Sequence, residues 1–97
     1  MQVVCKSPGR PPVVAQVDNT LEALQQAVGG PIETVTFYVD ATIICNEAGR
    51  LMGLPYNCRF LGIDFVGPIL VVGVDGDGFC SLSDEGAEFL MNQFGGV

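Results

Sequence analysis

Histidine is absent from this 97-residue chain, and cationic side chains are scarce: four Lys and Arg stand against eleven Asp and Glu, for a formal net charge of -7. Without imidazole there is no histidine general base, and no histidine to complete a zinc site. The sequence also lacks a Gly-x-Ser-x-Gly nucleophile elbow and a glycine-rich phosphate loop with its lysine. Four scattered cations cannot release counterions along a nucleic-acid backbone, which argues against general DNA or RNA binding. No apolar run reaches the roughly 20 residues of a membrane span. Met1 to Cys5 begins as a strand with neither charged leader nor signal core, so a cytoplasmic location is expected. Charged residues make up only 15% of the chain, against about 25% in an average soluble protein.

Hydrophobic residues are abundant, at 48%. In so short a chain that surplus exceeds what a small core can hide, and a homo-oligomer is expected. Cys5, Cys45, Cys58 and Cys80 are irregularly spaced, contain no Cys-x-x-Cys pair, and lie in apolar strand-like settings. They read as reduced, passive thiols, with no cofactor and no metal implied. Asp75-Gly76-Asp77-Gly78 resembles the opening of a calcium loop, but Phe79 occupies the fifth position and no Glu the twelfth, which leaves an acidic turn.

Along the chain, Met1 to Lys6 and Val13 to Val17 form a first hairpin around a Pro- and Gly-rich turn, with Lys6 and Arg10 as solvated turn residues. Asp18-Asn19-Thr20 offers an N-cap, with Glu22 three residues after Asn19, and a helix follows from about Thr20 to Val28, closed by Gly29-Gly30. Ile32 to Tyr38 alternates as a third strand, and Val39-Asp40-Ala41 links it to a fourth. Val66 to Val74 is the longest apolar run, a buried central strand with Pro68 near its start. Phe79 to Leu82 is short and extended. A second helix opens at Ser83-Asp84-Glu85, carries Ala87, Leu90, Met91 and Phe94 on its apolar stripe, and ends at Gly95-Gly96. The pattern predicts a single α+β domain: a mostly antiparallel sheet of about five to six strands covered by two helices.

The densest chemistry lies between Thr42 and Phe60. Thr42 to Cys45 runs into Asn46-Glu47-Ala48-Gly49, a turn signature, and Arg50 leads back through Leu51-Met52, which predicts a hairpin. Pro55 then stiffens a loop, Tyr56-Asn57-Cys58-Arg59-Phe60. Asn46, Arg50, Tyr56, Asn57 and Arg59 are the candidate ligand-binding residues. Arginine supplies bidentate charge-assisted contacts, asparagine an amide edge and tyrosine a stacking face. Alternatively Arg50 and Arg59 pair with Glu47 and Asp64 and lock the hairpin. Cys45 or Cys58 beside an arginine is a weaker, enzymatic option.

The chain resembles the domain of unknown function 3846 family. The likeness rests on Asp18-Asn19-Thr20-Leu21-Glu22-Ala23-Leu24-Gln25 with Val28-Gly29-Gly30, and on Cys45-Asn46-Glu47-Ala48-Gly49-Arg50 with Gly53-Leu54-Pro55 and Asn57. Phe65-Val66-Gly67-Pro68 through Val72-Gly73, and Phe79-Cys80-Ser81-Leu82-Ser83-Asp84-Glu85, complete it. What the resemblance implies is a cytosolic accessory protein of a phage or mobile element, with Asn46 or Asn57 as a functional asparagine. The leading expectation is a non-enzymatic counter-defence factor that sequesters an anionic, nucleotide-like signalling ligand. The alternative is an acidic protein-interaction inhibitor of a host nuclease or defence protein.

Overall fold

In the computed structural model, residues 1–38 and 40–95 are described. Strands β1 (Gln2–Lys6) and β2 (Val13–Gln16) form the first hairpin, registered from Gln2 opposite Gln16 to Cys5 opposite Val13. Helix α1 (Leu21–Val28) follows, then β3 (Ile32–Tyr38) and β4 (Ala41–Asn46), a small hairpin of β5 (Tyr56–Phe60) and β6 (Ile63–Val66), β7 (Ile69–Asp75), β8 (Gly78–Cys80) and α2 (Asp84–Gly95).

The main sheet has six strands, in the order β2-β1-β7-β4-β3, with β8 also paired to β7 and every described pairing antiparallel. Gly73 already faces Ala41 of β4, so β8 takes the other side of β7, continuing the line of β1. The long apolar run thus becomes the strand shared by β1, β4 and β8, and Pro68 stands just before it, where its missing N–H costs no ladder bond. The expected α+β architecture with two covering helices is present.

Strand alternation sends successive side chains to opposite faces, and each face has its own helix. Val3, Ile44, Leu70 and Val72 pack with Leu24 and Val28 of α1. Val4, Ile43, Ile69 and Val71 pack with Ala87, Leu90 and Phe94 of α2, and Cys58 and Phe65 of the small hairpin join that side. Because both faces are covered, β4 is buried at every position, the polar Thr42 and Asn46 included. Full burial of each such Val, Ile or Leu contributes about 1.5–3 kcal/mol.

The caps differ from expectation in one detail. Thr20, not Asn19, is the N-cap of α1, its hydroxyl accepting the Ala23 N–H at 3.1 Å, while Asn19 donates its amide to the Phe79 carbonyl at 2.8 Å. Gly29 closes the helix in the left-handed conformation at φ 82°, its N–H on Gln25 O. The expected Val39 link and the Gly96 end of α2 lie outside the described residues.

The predicted central hairpin does not form. Both edges of β4 are already taken, by β3 and by β7, so no place remains for a returning strand. Residues 47–53 instead coil through successive turns, closed by Gly49 N on Asn46 O, Met52 N on Ala48 O and Leu54 N on Gly49 O. The segment expected as a loop is strand β5, which pairs forward with β6 around Leu61 (φ 54°) and Gly62 (φ 76°). Two consecutive left-handed residues match the two-residue turn that fits the natural twist of a hairpin.

Candidate functional site

Asn46 ends β4 on the α1 side, 6% exposed. Its Oδ1 accepts the Ala48 N–H at 2.8 Å, and its Nδ2 donates to the Val28 carbonyl at 3.2 Å and to the Met52 sulfur at 3.5 Å. One amide therefore sets the turn after β4 and ties it to the end of α1. The neighbouring Gly30 is bare because a Cβ there would meet Asn46 Nδ2 at 2.8 Å.

Asn57 lies at the bulge of β5 and donates Nδ2 to the carbonyls of Lys6 and Gly67, both at 2.7 Å, while Oδ1 accepts Lys6 Nζ at 3.2 Å. The remaining three candidates converge on one acid. Arg50 Nη2 donates to the Asp64 carbonyl at 2.6 Å, Tyr56 donates its hydroxyl to Asp64 Oδ1 at 3.3 Å, and Arg59 Nη1 stands 4.0 Å from Asp64 Oδ2. Arg50 lines a cavity of about 260 Å³ together with Glu33, Glu47 and Asp64. Three carboxylates against one guanidinium make that cavity a poor seat for an anion. Asn46 borders it too, but Tyr56, Asn57 and Arg59 do not.

Lys6, expected as a solvated turn residue, is only 5% exposed. It follows Val4 by two positions and so falls on the same inward face, a signal the strand alternation already carried. Its ammonium donates to the Ser7 carbonyl at 3.0 Å and to Asn57 Oδ1 at 3.2 Å. Among the described residues no carboxylate comes within ion-pair distance of it, because the one salt bridge there is Arg59 with Asp64. Lys6, Asn57 and Arg10 line a cavity of about 400 Å³ whose walls are completed by Pro11, Pro12 and the end of α2 at Phe94 and Gly95. The end of α2, where helix carbonyls concentrate partial negative charge, borders the same cavity.

At the opposite end of α2 lies a larger cavity, about 500 Å³, between the first turns of that helix and the β3 to β4 corner. A bulge between Thr36 and Tyr38 places Phe37 and Tyr38 on the α2 side together, with ring centroids 4.9 Å apart, and Phe89 stands 6.4 Å from Tyr38. Neither the bulge nor this aromatic corner follows from alternation alone.

All four cysteines are free. Burial pushes the Cys5, Cys45 and Cys58 thiols up; Glu33 adds to the effect at Cys45, and Lys6 opposes it at Cys58. These are thiols held protonated at neutral pH, the opposite of what a nucleophile needs. Among the described residues no group of three or more metal-ligating side chains converges, and no helix is long and apolar enough to cross a membrane.

The chain belongs to the family described as a domain of unknown function (DUF3846), whose model matches residues 1–95. No curated protein and no solved structure matches it.

Proposed function

In this DUF3846 member, we propose a non-enzymatic binding module that captures a small anionic, phosphate-bearing ligand in the cavity lined by Lys6, Arg10 and Asn57. The observation that carries the reading is the buried Lys6 ammonium, which has two neutral acceptors and a wall of the cavity beside it. A cation taken out of water is stabilised most by an opposing charge, and a phosphate oxygen supplies one. Arg10, exposed on the turn, adds a second cation at the mouth. Each charge-assisted hydrogen bond contributes about 1.5–3 kcal/mol, tenfold or more in affinity. A nucleotide-like signal fits this chemistry, and stoichiometric capture of such a signal in the cytosol is the counter-defence role proposed for a phage or mobile-element protein. In this reading Asn57 orients Lys6, Asn46 shapes the scaffold, and Arg50, Tyr56 and Arg59 gather around Asp64, outside the lining of the Lys6 cavity.

Calorimetric titration with inorganic phosphate and adenosine monophosphate tests this. Both bind, and Arg10→Ala, an exposed change that leaves the fold intact, weakens them at least tenfold while Arg59→Ala has little effect. Loss of binding in Arg59→Ala alone returns the seat to the β5–β6 hairpin. Absence of binding by either probe overturns the reading.

A further inference from the structure

The cavity at the start of α2 has the opposite chemistry, and we infer that it is a receptor for an organic cation, an ammonium or guanidinium group carried on an apolar stem. The inference does not rest on the Lys6 site, which lies at the other end of the same helix.

Three properties of the cavity converge. Its volume, about 500 Å³, falls in the range of small-molecule sites. Its walls are aromatic: Tyr38 is 52% and Phe89 44% exposed, with ring centroids 6.4 Å apart, over a floor that includes the buried Ala41, Leu82 and Leu90. Its charge is of one sign, because Asp40 and Glu85 are among the lining residues and no lysine or arginine is. The four cations of the chain are Lys6, Arg10, Arg50 and Arg59, and Lys6 and Arg10 line the cavity at the far end of α2 while Arg50 is bonded to, and Arg59 paired with, Asp64.

A ring face attracts a cation through its quadrupole, most strongly where water is partly excluded, and the two carboxylates add direct charge attraction. An anion is repelled by both carboxylates, and a purely apolar ligand gains nothing from them. An alkyl stem against the floor with a cationic head between ring and carboxylate satisfies every wall. The bulge in β3 is the device that makes this possible: without the extra residue, Tyr38 would fall on the α1 face and the wall opposite Phe89 would be missing.

The stem and head can be those of a free amine or those of an arginine side chain on a partner, and the experiment separates the two. Amide chemical shifts are followed while N-acetyl-arginine amide, the uncharged isostere N-acetyl-citrulline amide, and a Gly-Arg-Gly peptide are titrated into the full chain. The arginine compound shifts residues around Tyr38, Glu85 and Phe89, binds at least fivefold more tightly than the citrulline compound, and weakens as salt is raised. Glu85→Gln, on the exposed rim, reduces its affinity at least threefold, and Tyr38→Leu does the same with the fold unchanged. Tighter binding of the peptide than of the free compound assigns the site to a partner's side chain, and equal binding assigns it to a small amine. Equal shifts from arginine and citrulline, or shifts that do not map to this cavity, overturn the inference.

Discussion

Asn46 shows what one side chain decides in this molecule. Its three hydrogen bonds link β4, the 47–53 turns and the end of α1. Asn46→Ala leaves the Val28 carbonyl and the Ala48 N–H without this partner, and is expected to cost about 1–3 kcal/mol, read as a lower urea midpoint at unchanged slope. Gly30→Ala presses on the same amide, so the double variant is expected to lose less than the sum of the two. The importance of Asn46 was legible in the sequence, but as a ligand contact. The sequence displays an amide's capacity to bond and not its partners, which here come from a helix ending 18 residues earlier. Lys6 departs from its expected place for a different reason: its neighbour Ser7-Pro8 announces a turn, while the period-two relation to Val4 turns it inward.

At the scale of elements, both helices and most strands were readable because each carries its own periodicity, but β5 and β6 were not, and the helix stripe of Ala87, Leu90, Met91 and Phe94 lies on the sheet as spaced. Pairing was readable only where a short turn dictated it, as in β1 with β2. The failed β4 hairpin was decided by β7, a strand 23 residues farther along, taking the edge that a local reading had left open. Gly73 marks how closely β7 and β8 meet. A Cβ there would stand 2.6 Å from the Ser81 carbonyl oxygen and 2.9 Å from Cys80 Sγ. Gly73→Ala is therefore expected to destabilise by about 1–3 kcal/mol, and to raise amide exchange in β8 more than in β4 or β1. Equal exchange in all three strands would contradict a local displacement.

The whole molecule exposes a run of apolar side chains on one stretch: Leu51 at 93%, Met52 at 54%, Tyr56 at 57%, Leu61 at 60% and Ile63 at 40%. Leu51 and Ile63 border a common cavity, so at least part of this surface is contiguous. Among the described residues this stretch holds five of the ten exposed large hydrophobics, the others being Val13, Val14, Leu21, Tyr38 and Phe89, and it is the face through which self-association is expected. Light scattering at micromolar concentration is expected to give a multiple of 10.2 kDa, and Leu51→Asp to shift it toward the monomer without loss of secondary structure. A monomer mass for the unsubstituted chain would refute the expectation.

The position of β7 also governs the order in which this fold can be made. β1 finds its second neighbour only at residues 69–71, and β4 only at 70–73. Until that strand has been synthesised, the β1–β2 and β3–β4 pairs share no element, each a two-stranded ribbon of marginal stability. Closing those distant pairings carries the loop entropy that slows chains dominated by non-local contacts. Assembly on the ribosome is consequently expected to be late and nearly simultaneous, the two pairs joining only once the seventh strand is available.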